Sequence, residues 1–315
     1  VRLAYFGTPA EAVPPLEAVL DAGHDVALVV TQPDRRRGRG SGSTPSPVRA
    51  AAEARGLPVR TPTRAAELAD ELGTLDLDLG VVVAFGQLLP VPVLTTTRSG
   101  FVNLHFSRLP RWRGAAPVER AILAGDTDTA VCVMVLDEGM DTGPVLAETV
   151  TAIGAEETAG ELRARLVTLG APLLVAVLAD LAARSPQPQT GPATHAAKLA
   201  VEEFALDWAR PAADLVRVVR AGNPRPGAWT TVGDRRLKVL RARVGPGPET
   251  GSAADPGVDP GAPPGTVTPS GAVVTGSGTL ELLEVQPEGR APMPAPAWRA
   301  GLRGAAVRLG EPARP

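Results

Sequence analysis

The apolar positions in the first half of the chain form short continuous runs, separated by stretches of helical spacing. Residues 3–6 are apolar and are broken by Gly7-Thr8-Pro9. Residues 11–22 then repeat apolar positions at helical intervals and close at Gly23. A second apolar run covers 25–30, and a helical segment over 48–55 ends at Gly56. Buried-strand patterns follow at 79–85, 101–104 and 130–136, with helical patterns at 118–123 and, longest of all, at 157–183. Short apolar runs alternating with helices predict an α/β domain, Rossmann-like, with a parallel-rich sheet covered on both faces.

After residue 184 the pattern changes. Ser185-Pro186-Gln187-Pro188-Gln189-Thr190-Gly191-Pro192 is a linker by composition, so a connector is expected over 185–206. One helix is predicted at 212–221, then short β-like runs at 228–232, 236–244, 265–267, 272–275 and 279–286. Strands this short, divided by glycine turns, predict a small OB-like barrel over 207–310. Within it, 245–265 is rich in Gly, Pro, Asp and Ala and is expected to be a disordered surface loop. The first domain is therefore placed at 1–184.

Composition narrows the function classes. With 315 residues, 44% of them hydrophobic, the chain can bury two cores. Lysine is nearly replaced by arginine (2 against 30), and only two asparagines survive, Asn103 and Asn223. A lone cysteine, Cys132, excludes an internal disulfide and a multi-cysteine metal site, and three scattered histidines argue against a His-rich one. No metal is expected. No apolar run reaches the roughly 20 residues of a membrane helix, and the first residues enter a strand without the features of a secretory signal. A soluble, cytoplasmic protein with no membrane partner is expected.

Charge adds a partner class. The net charge is −2, yet residues 31–49 and 98–120 each carry five Arg against one acid, and 207–243 carry eight Arg and one Lys against three Asp. Segregation of this kind can build a basic face on a near-neutral molecule.

The densest chemistry lies in Asn103-Leu104-His105-Phe106-Ser107-Arg108-Leu109-Pro110-Arg111-Trp112-Arg113-Gly114. Asn103 and His105 are two apart at the end of an apolar run, so in a strand they share a face. The carboxyl end of a strand is where open α/β sheets place ligands. An amide and an imidazole there can donate to a developing oxyanion and move a proton. Asp141, in the loop after the 130–136 strand, is the candidate to hold the imidazole tautomer, brought alongside by parallel-sheet topology. Ser107 is read as facing away from this pair, which leaves no covalent nucleophile. Asn223, between Gly222 and Pro224, reads as a turn residue bonding its own backbone.

The run from Asn103 to Pro117 resembles the signature of the methionyl-tRNA formyltransferase family. The likeness extends through Phe6-Gly7-Thr8-Pro9, Thr31-Gln32-Pro33-Asp34, Ala84-Phe85-Gly86-Gln87-Leu88-Leu89-Pro90, Met140-Asp141-Thr142-Gly143 and Pro226-Gly227-Ala228-Trp229. A monomer is expected, and the resemblance implies that it moves the formyl group of 10-formyltetrahydrofolate to the α-amino group of initiator methionyl-tRNA. It implies Asn103, His105 and Asp141 as the catalytic trio. It places Phe85, Gly86, Leu89, Pro90, Ser107, Arg108, Leu109 and Pro110 along the folate site, and Arg35, Arg36, Arg37 and Arg39 in a loop toward the tRNA; by charge, Arg111 and Arg113 are expected to join the same basic track. Arg108 stands where the family has Leu, and Ser41-Gly42-Ser43 replaces a Lys-Lys-Leu type of sequence in the tRNA loop. Two other readings stay open at this level: a formyltransferase acting on a small amine such as glycinamide ribotide or an amino sugar, and a non-catalytic RNA-binding relative.

Overall fold

The computed structural model describes residues 1–36, 43–246, 261–302 and 307–310. The chain divides into two compact units. Unit 1 comprises Val1–Pro117, Asp128–Ala152 and Arg163–Ala197, and unit 2 comprises Val118–Thr127, Ile153–Leu162 and Lys198–Pro315. Most of the segment expected as a free connector, 185–197, thus belongs to unit 1.

Unit 1 is built on strands β1 (Arg2–Gly7), β2 (Asp25–Val30), β3 (Val59–Arg60), β4 (Leu79–Val83), β5 (Phe101–His105), β6 (Asp128–Val135) and β7 (Val145–Ala152). They form one sheet in the order β7-β6-β5-β4-β1-β2-β3. From β3 through β5 all neighbours are parallel, with Leu3 opposite Leu79 and Val82 opposite Asn103. Here the sequence reading needs a correction. β6 runs antiparallel to β5, with His105 opposite Cys132, and β7 returns antiparallel to β6. The β7 strand was not legible because it lies at the sheet edge and its Val-Leu-Ala-Glu-Thr-Val-Thr-Ala run does not alternate cleanly. Helices α1 (Val13–Asp21), α2 (Pro47–Ala54), α3 (Ala69–Thr74) and α4 (Val91–Leu94) lie between the strands. The start of α2 is locally encoded: the Ser46 side chain accepts from Arg49 N–H at 3.1 Å and Pro47 occupies the first turn.

The core beneath the sheet is aromatic at its centre. Phe6 meets Phe85 and Phe101 edge-on, with ring centroids 5.4 and 5.6 Å away. A second, smaller cluster joins Leu109 to Ala130, Cys132 and Met134. Cys132 is fully buried, its Sγ donates to Ser107 O at 3.0 Å, and burial pushes the thiol up to about 12. We therefore expect no alkylation of the native protein at pH 8 over an hour, and full alkylation in denaturant, checked by intact mass; rapid native labelling would contradict this burial.

Helix α5 (Pro117–Ala124) follows β5 in the chain, and α6 (Ala159–Ala179) is long and apolar enough by composition to cross a membrane. Its Leu162, Leu166, Leu174 and Val177 are fully buried inside the protein, so this apolarity belongs to the core. The α6 start is a reciprocal cap: Thr158 N–H donates to Glu161 Oε2 at 2.9 Å, and Glu161 N–H donates to Thr158 Oγ1 at 3.3 Å. Within unit 2 the Arg241 guanidinium also pairs with Glu161. The Thr158 N–H above all, and then Arg241, lower the Glu161 carboxyl from 4.5 to about 2. A depressed carboxyl stabilises the fold above its unfolded value and loses that contribution as pH falls through the folded one. Melting temperature should therefore drop between pH 4.5 and 2, and Glu161→Gln should flatten that drop. Because the side chain is half-exposed the effect is screened to about 1 kcal/mol or less; an unchanged pH profile in the variant would refute it.

In unit 2, α7 (Ala212–Gly222) buries Leu215, Val218 and Val219. The strands are β8 (Ala228–Val232), β9 (Arg235–Val244), β10 (Ala272–Val274), β11 (Thr279–Pro287) and β12 (Met293–Pro294), followed by helix α8 (Ala295–Ala300). Where a small OB-like barrel was expected, they make a small antiparallel sheet, in the order β8-β9-β11-β10 with β12 on β11, and β9 is bulged around Arg241. Most of the predicted 245–265 loop lies outside the described residues. Asn223 is structural, as read, but by another bond. It caps α7, and its Nδ2 donates to Leu240 O on β9 at 2.6 Å rather than to its own turn.

Candidate active site

The two side chains singled out by spacing do share a face. Asn103 and His105 project from the end of β5 and are 8% and 5% exposed. The third partner arrives by an unexpected route. Because β6 is antiparallel to β5, the loop after β6 emerges opposite the start of β5, where Leu136 N–H donates to Phe101 O at 2.8 Å. The loop then folds back so that Asp141 meets both side chains.

That return is written in the loop residues. Asp137 Oδ1 accepts from Gly139 N–H at 3.1 Å and from Thr142 Oγ1, an Asx-type turn. At Gly143 a β-carbon would fall 1.9 Å from Val135 O, so only glycine can close the loop onto the strand end. Asp141 itself adopts a left-handed φ of 52°, a conformation that costs energy in a non-glycine residue and is held by its surroundings.

Asp141 is a shared acceptor. Its Oδ2 takes the Gly114 N–H at 2.8 Å, its Oδ1 takes Asn103 Nδ2 at 3.4 Å, and Oδ2 lies 3.7 Å from His105 Nδ1. The other imidazole nitrogen, Nε2, lies 3.1 Å from Trp112 O. A carbonyl can only accept, so Nε2 carries the proton and donates. The tautomer is thus set by a main-chain carbonyl, and the expectation that Asp141 sets it is corrected: Asp141 faces Nδ1 instead.

The loop after β5 is stapled by the former connector. Arg113–Gly114 pairs in parallel with His195–Ala196, Trp112 N–H donates to Thr194 Oγ1 at 2.9 Å, and Ala115 N–H donates to Ala196 O at 2.8 Å. Gly114 needs its φ of 120°, and a β-carbon there would sit 2.8 Å from Ala196 O. Gln187 and Val145 exchange two main-chain hydrogen bonds at 2.8 Å. Pro-rich composition read as a linker because Pro cannot donate, yet the segment's remaining donors are largely spent on the site.

The other predicted residues separate. Ser107 shares the odd parity of Asn103 and His105, so strand phase does not exclude it. What removes it as a nucleophile is full burial and donation of its hydroxyl to Arg111 O at 2.7 Å. Phe85, expected against folate, is 1% exposed, with its ring in the aromatic core and its carbonyl accepting from Thr8 Oγ1 at 3.2 Å and Gln32 Nε2 at 2.8 Å. Leu89 and Leu109 are also largely buried, whereas Gly86 is exposed with a φ of 83° beside left-handed Ala84 and ahead of Pro90. Arg108 is half-exposed and ion-paired to Asp128 at 3.2 Å, while Pro110 O accepts from Thr194 N–H at 3.2 Å.

Among the predicted tRNA residues, Arg35 and Arg36 form a short strand paired with Ser43–Thr44, and Arg37 and Arg39 lie outside the described residues. The Arg111 guanidinium stands 4.5 Å from the Trp112 ring centroid. Arg113 turns inward: its Nε and Nη2 donate to Gln189 Oε1 at 3.0 and 2.7 Å. In unit 2, Arg210, Arg217, Arg241 and Arg243 are ion-paired with acids. Sequence reasoning missed three contributors, the Trp112 carbonyl, the Gly114 N–H and Gln189. The first two are main-chain groups with no side-chain signature, and the third was masked by its Pro-Gln context.

An amide, an imidazole of defined tautomer and a carboxylate, gathered at the end of a strand, make a site for acyl transfer without a covalent nucleophile. The class of protein is the formyl transferases, by the match of both parts of the chain. Residues 1–178 match the family model of the formyl transferases, and residues 198–303 match that of the formyl transferase C-terminal domain. Methionyl-tRNA formyltransferase of Roseobacter denitrificans is 47% identical over 296 residues, covering 92% of each chain. That of Paracoccus denitrificans is 46% identical, covering 94% of this chain and 95% of its own. The chain belongs to the methionyl-tRNA formyltransferase family. Among solved structures, methionyl-tRNA formyltransferase from Clostridium thermocellum shares the fold at a TM-score of 0.57 and 16% identity, over 78% of this chain and 94% of that one. An N-formyltransferase from Helicobacter canadensis, solved in complex with folinic acid and dTDP-3-aminofucose, aligns at a TM-score of 0.65 and 15% identity, over 91% and 99%.

Proposed function

We propose that this chain transfers a formyl group from 10-formyltetrahydrofolate to the α-amino group of methionyl-initiator tRNA, with Asn103, His105 and Asp141 as its catalytic residues. The observation that carries this reading is the convergence of those three side chains on one strand end, in a chain so similar to named methionyl-tRNA formyltransferases. The small-amine and non-catalytic readings have no comparable support. A cytoplasmic location goes with this reading, since initiator tRNA is charged and used there.

The surface next to the trio suits a folate. Val82 stands opposite Asn103, so the segments after β4 and β5 leave the same sheet edge. Leu88 is 66% exposed there and Val91 44%, beside the accessible main chain of Ala84 and Gly86. Apolar surface next to free main-chain groups fits a flat heteroaromatic ring with polar edges.

When bound, the donor supplies a formyl group already activated on nitrogen. An α-amino group has an ordinary pKa of about 7.7–8.0, so part of the acceptor is neutral at physiological pH. Asn103 Nδ2 has a second proton besides the one directed at Asp141, and it donates to the formyl oxygen as charge grows there. With Nε2 committed to Trp112, His105 uses Nδ1 to take the proton of the attacking amine. The charged ring then sits beside the Asp141 carboxylate, which offsets it until the proton passes to the departing nitrogen.

The acceptor assignment has a direct test. Purified protein, formyltetrahydrofolate and charged initiator tRNA should yield formyl-methionyl-tRNA, and absence of product would sink the proposal. Charged elongator tRNA is the control; equal formylation would mean that Ser41-Gly42-Ser43 has cost selectivity. Binding of tRNA should weaken steeply with salt if the basic segments contact phosphate.

A further inference from the structure

We propose that Gln189 is a positioning residue for formyl transfer, holding the Asp141 loop in its catalytic geometry from the segment between the two family domains. The inference rests on the reading of this site as a formyl-transfer centre. Gln189 Nε2 donates to Asp141 O at 2.9 Å and to Gly143 O at 2.7 Å. Its Oε1 accepts from Arg113 Nε and Nη2. Both donor protons and both acceptor lone pairs of the amide are used, which is its full capacity.

The orientation of this amide is not interchangeable. Flipped, its oxygen would face two carbonyls and its NH2 group a guanidinium, and all four contacts would become repulsive. Gln189 therefore ties the two arms of the site together. One arm is the 137–143 loop that brings Asp141 back over β5; the other is the Arg113-Gly114 segment whose Gly114 N–H binds the Asp141 carboxylate. The strained left-handed backbone at Asp141 supplies the reason such a tie is needed, since a loop in that conformation relaxes when its anchors are lost. Gln189 is itself anchored by its neighbours, through the Gln187–Val145 bonds on one side and the Thr194 and Ala196 contacts on the other.

Two variants separate positioning from simple stability. Gln189→Ala removes all four contacts. Gln189→Glu keeps the pairing with Arg113, and with it the fold, but has no proton for the Asp141 and Gly143 carbonyls. Both should lower kcat about 30- to 100-fold, the scale of a misplacement near 1 Å, with each KM changed less than about threefold. Amide exchange of the 137–144 peptide should rise in both, a readout that needs no activity. Repeated in an Asp141→Asn background, the same substitutions should lose less than about threefold, because residues acting through one another are not additive. Equal losses in both backgrounds, a loss confined to KM, or unchanged exchange at 137–144 would each overturn the positioning role. An inactive wild type would count against the formyl-transfer reading instead, while the exchange measurement would still decide whether Gln189 holds the loop.

Discussion

Replacing His105 with alanine is expected to lower kcat for formyl transfer by about 10³-fold or more, with binding of either substrate changed less than about threefold. The size follows from what the ring does at two stages. Its Nε2 proton is already committed to Trp112 O, so the ring stands in one tautomer before substrate arrives. In the proposed mechanism its Nδ1 takes the proton and later returns it, beside a carboxylate that stabilises the charged form. Alanine removes both functions and leaves a small void at a site that is nearly buried but adjoins the ligand surface. Single-turnover kinetics on saturating tRNA would measure the loss at the chemical step. A fall of less than tenfold would show that another group moves the proton. Asp141→Asn retains size and some hydrogen bonding but no charge, so it should lose about 10²-fold.

Asn103→Asp is expected to be the more damaging of two changes at its position, costing both turnover and stability. Asn103 donates to Asp141 Oδ1 at 3.4 Å from a nearly buried strand end. An aspartate would place a second carboxylate there, and two such groups at that distance resist ionising together. It would also set a negative charge where the formyl oxygen must gain one. We expect kcat to fall about 10³-fold or more for Asp and about 10²-fold for Ala, the latter being the loss of one oxyanion donor. Asp should also lower the melting temperature at pH 8 and recover part of it near pH 5, where one carboxyl can hold a proton; Ala should show no such recovery. Equal kcat values for the two variants would mean that the amide is structural and not a donor to the reacting oxygen.

Both variants bear on features that were readable at different depths. Asn103 and His105 were legible because strand periodicity is local: two residues apart in a β-strand means the same face, whatever the strand's neighbours are. Glycine at 143 was visible as part of a motif, but its reason, a 1.9 Å approach to Val135 O, is a tertiary fact. Phe85 shows the opposite failure. A motif does not say which of its residues look inward, and here the ring completes the aromatic core while the carbonyl is taken by Thr8 and Gln32.

The sequence by itself determined the α/β first unit, the second unit of short strands, the shared face of Asn103 and His105, and the candidacy of Asp141. Each of these depends on spacing within a short stretch or on a motif of fixed order. Only the tertiary structure decided the rest. It set β6 antiparallel to β5, turned the Asp141 loop back across the sheet edge, gave the His105 tautomer to the Trp112 carbonyl, and drew Gln189 out of an apparent linker into the support of the site. Those outcomes join residues as far apart as Asp141 and Gln189 through hydrogen bonds, many of them to main-chain groups. Every residue carries such groups, so no pattern of side chains along the chain can announce which of them will meet.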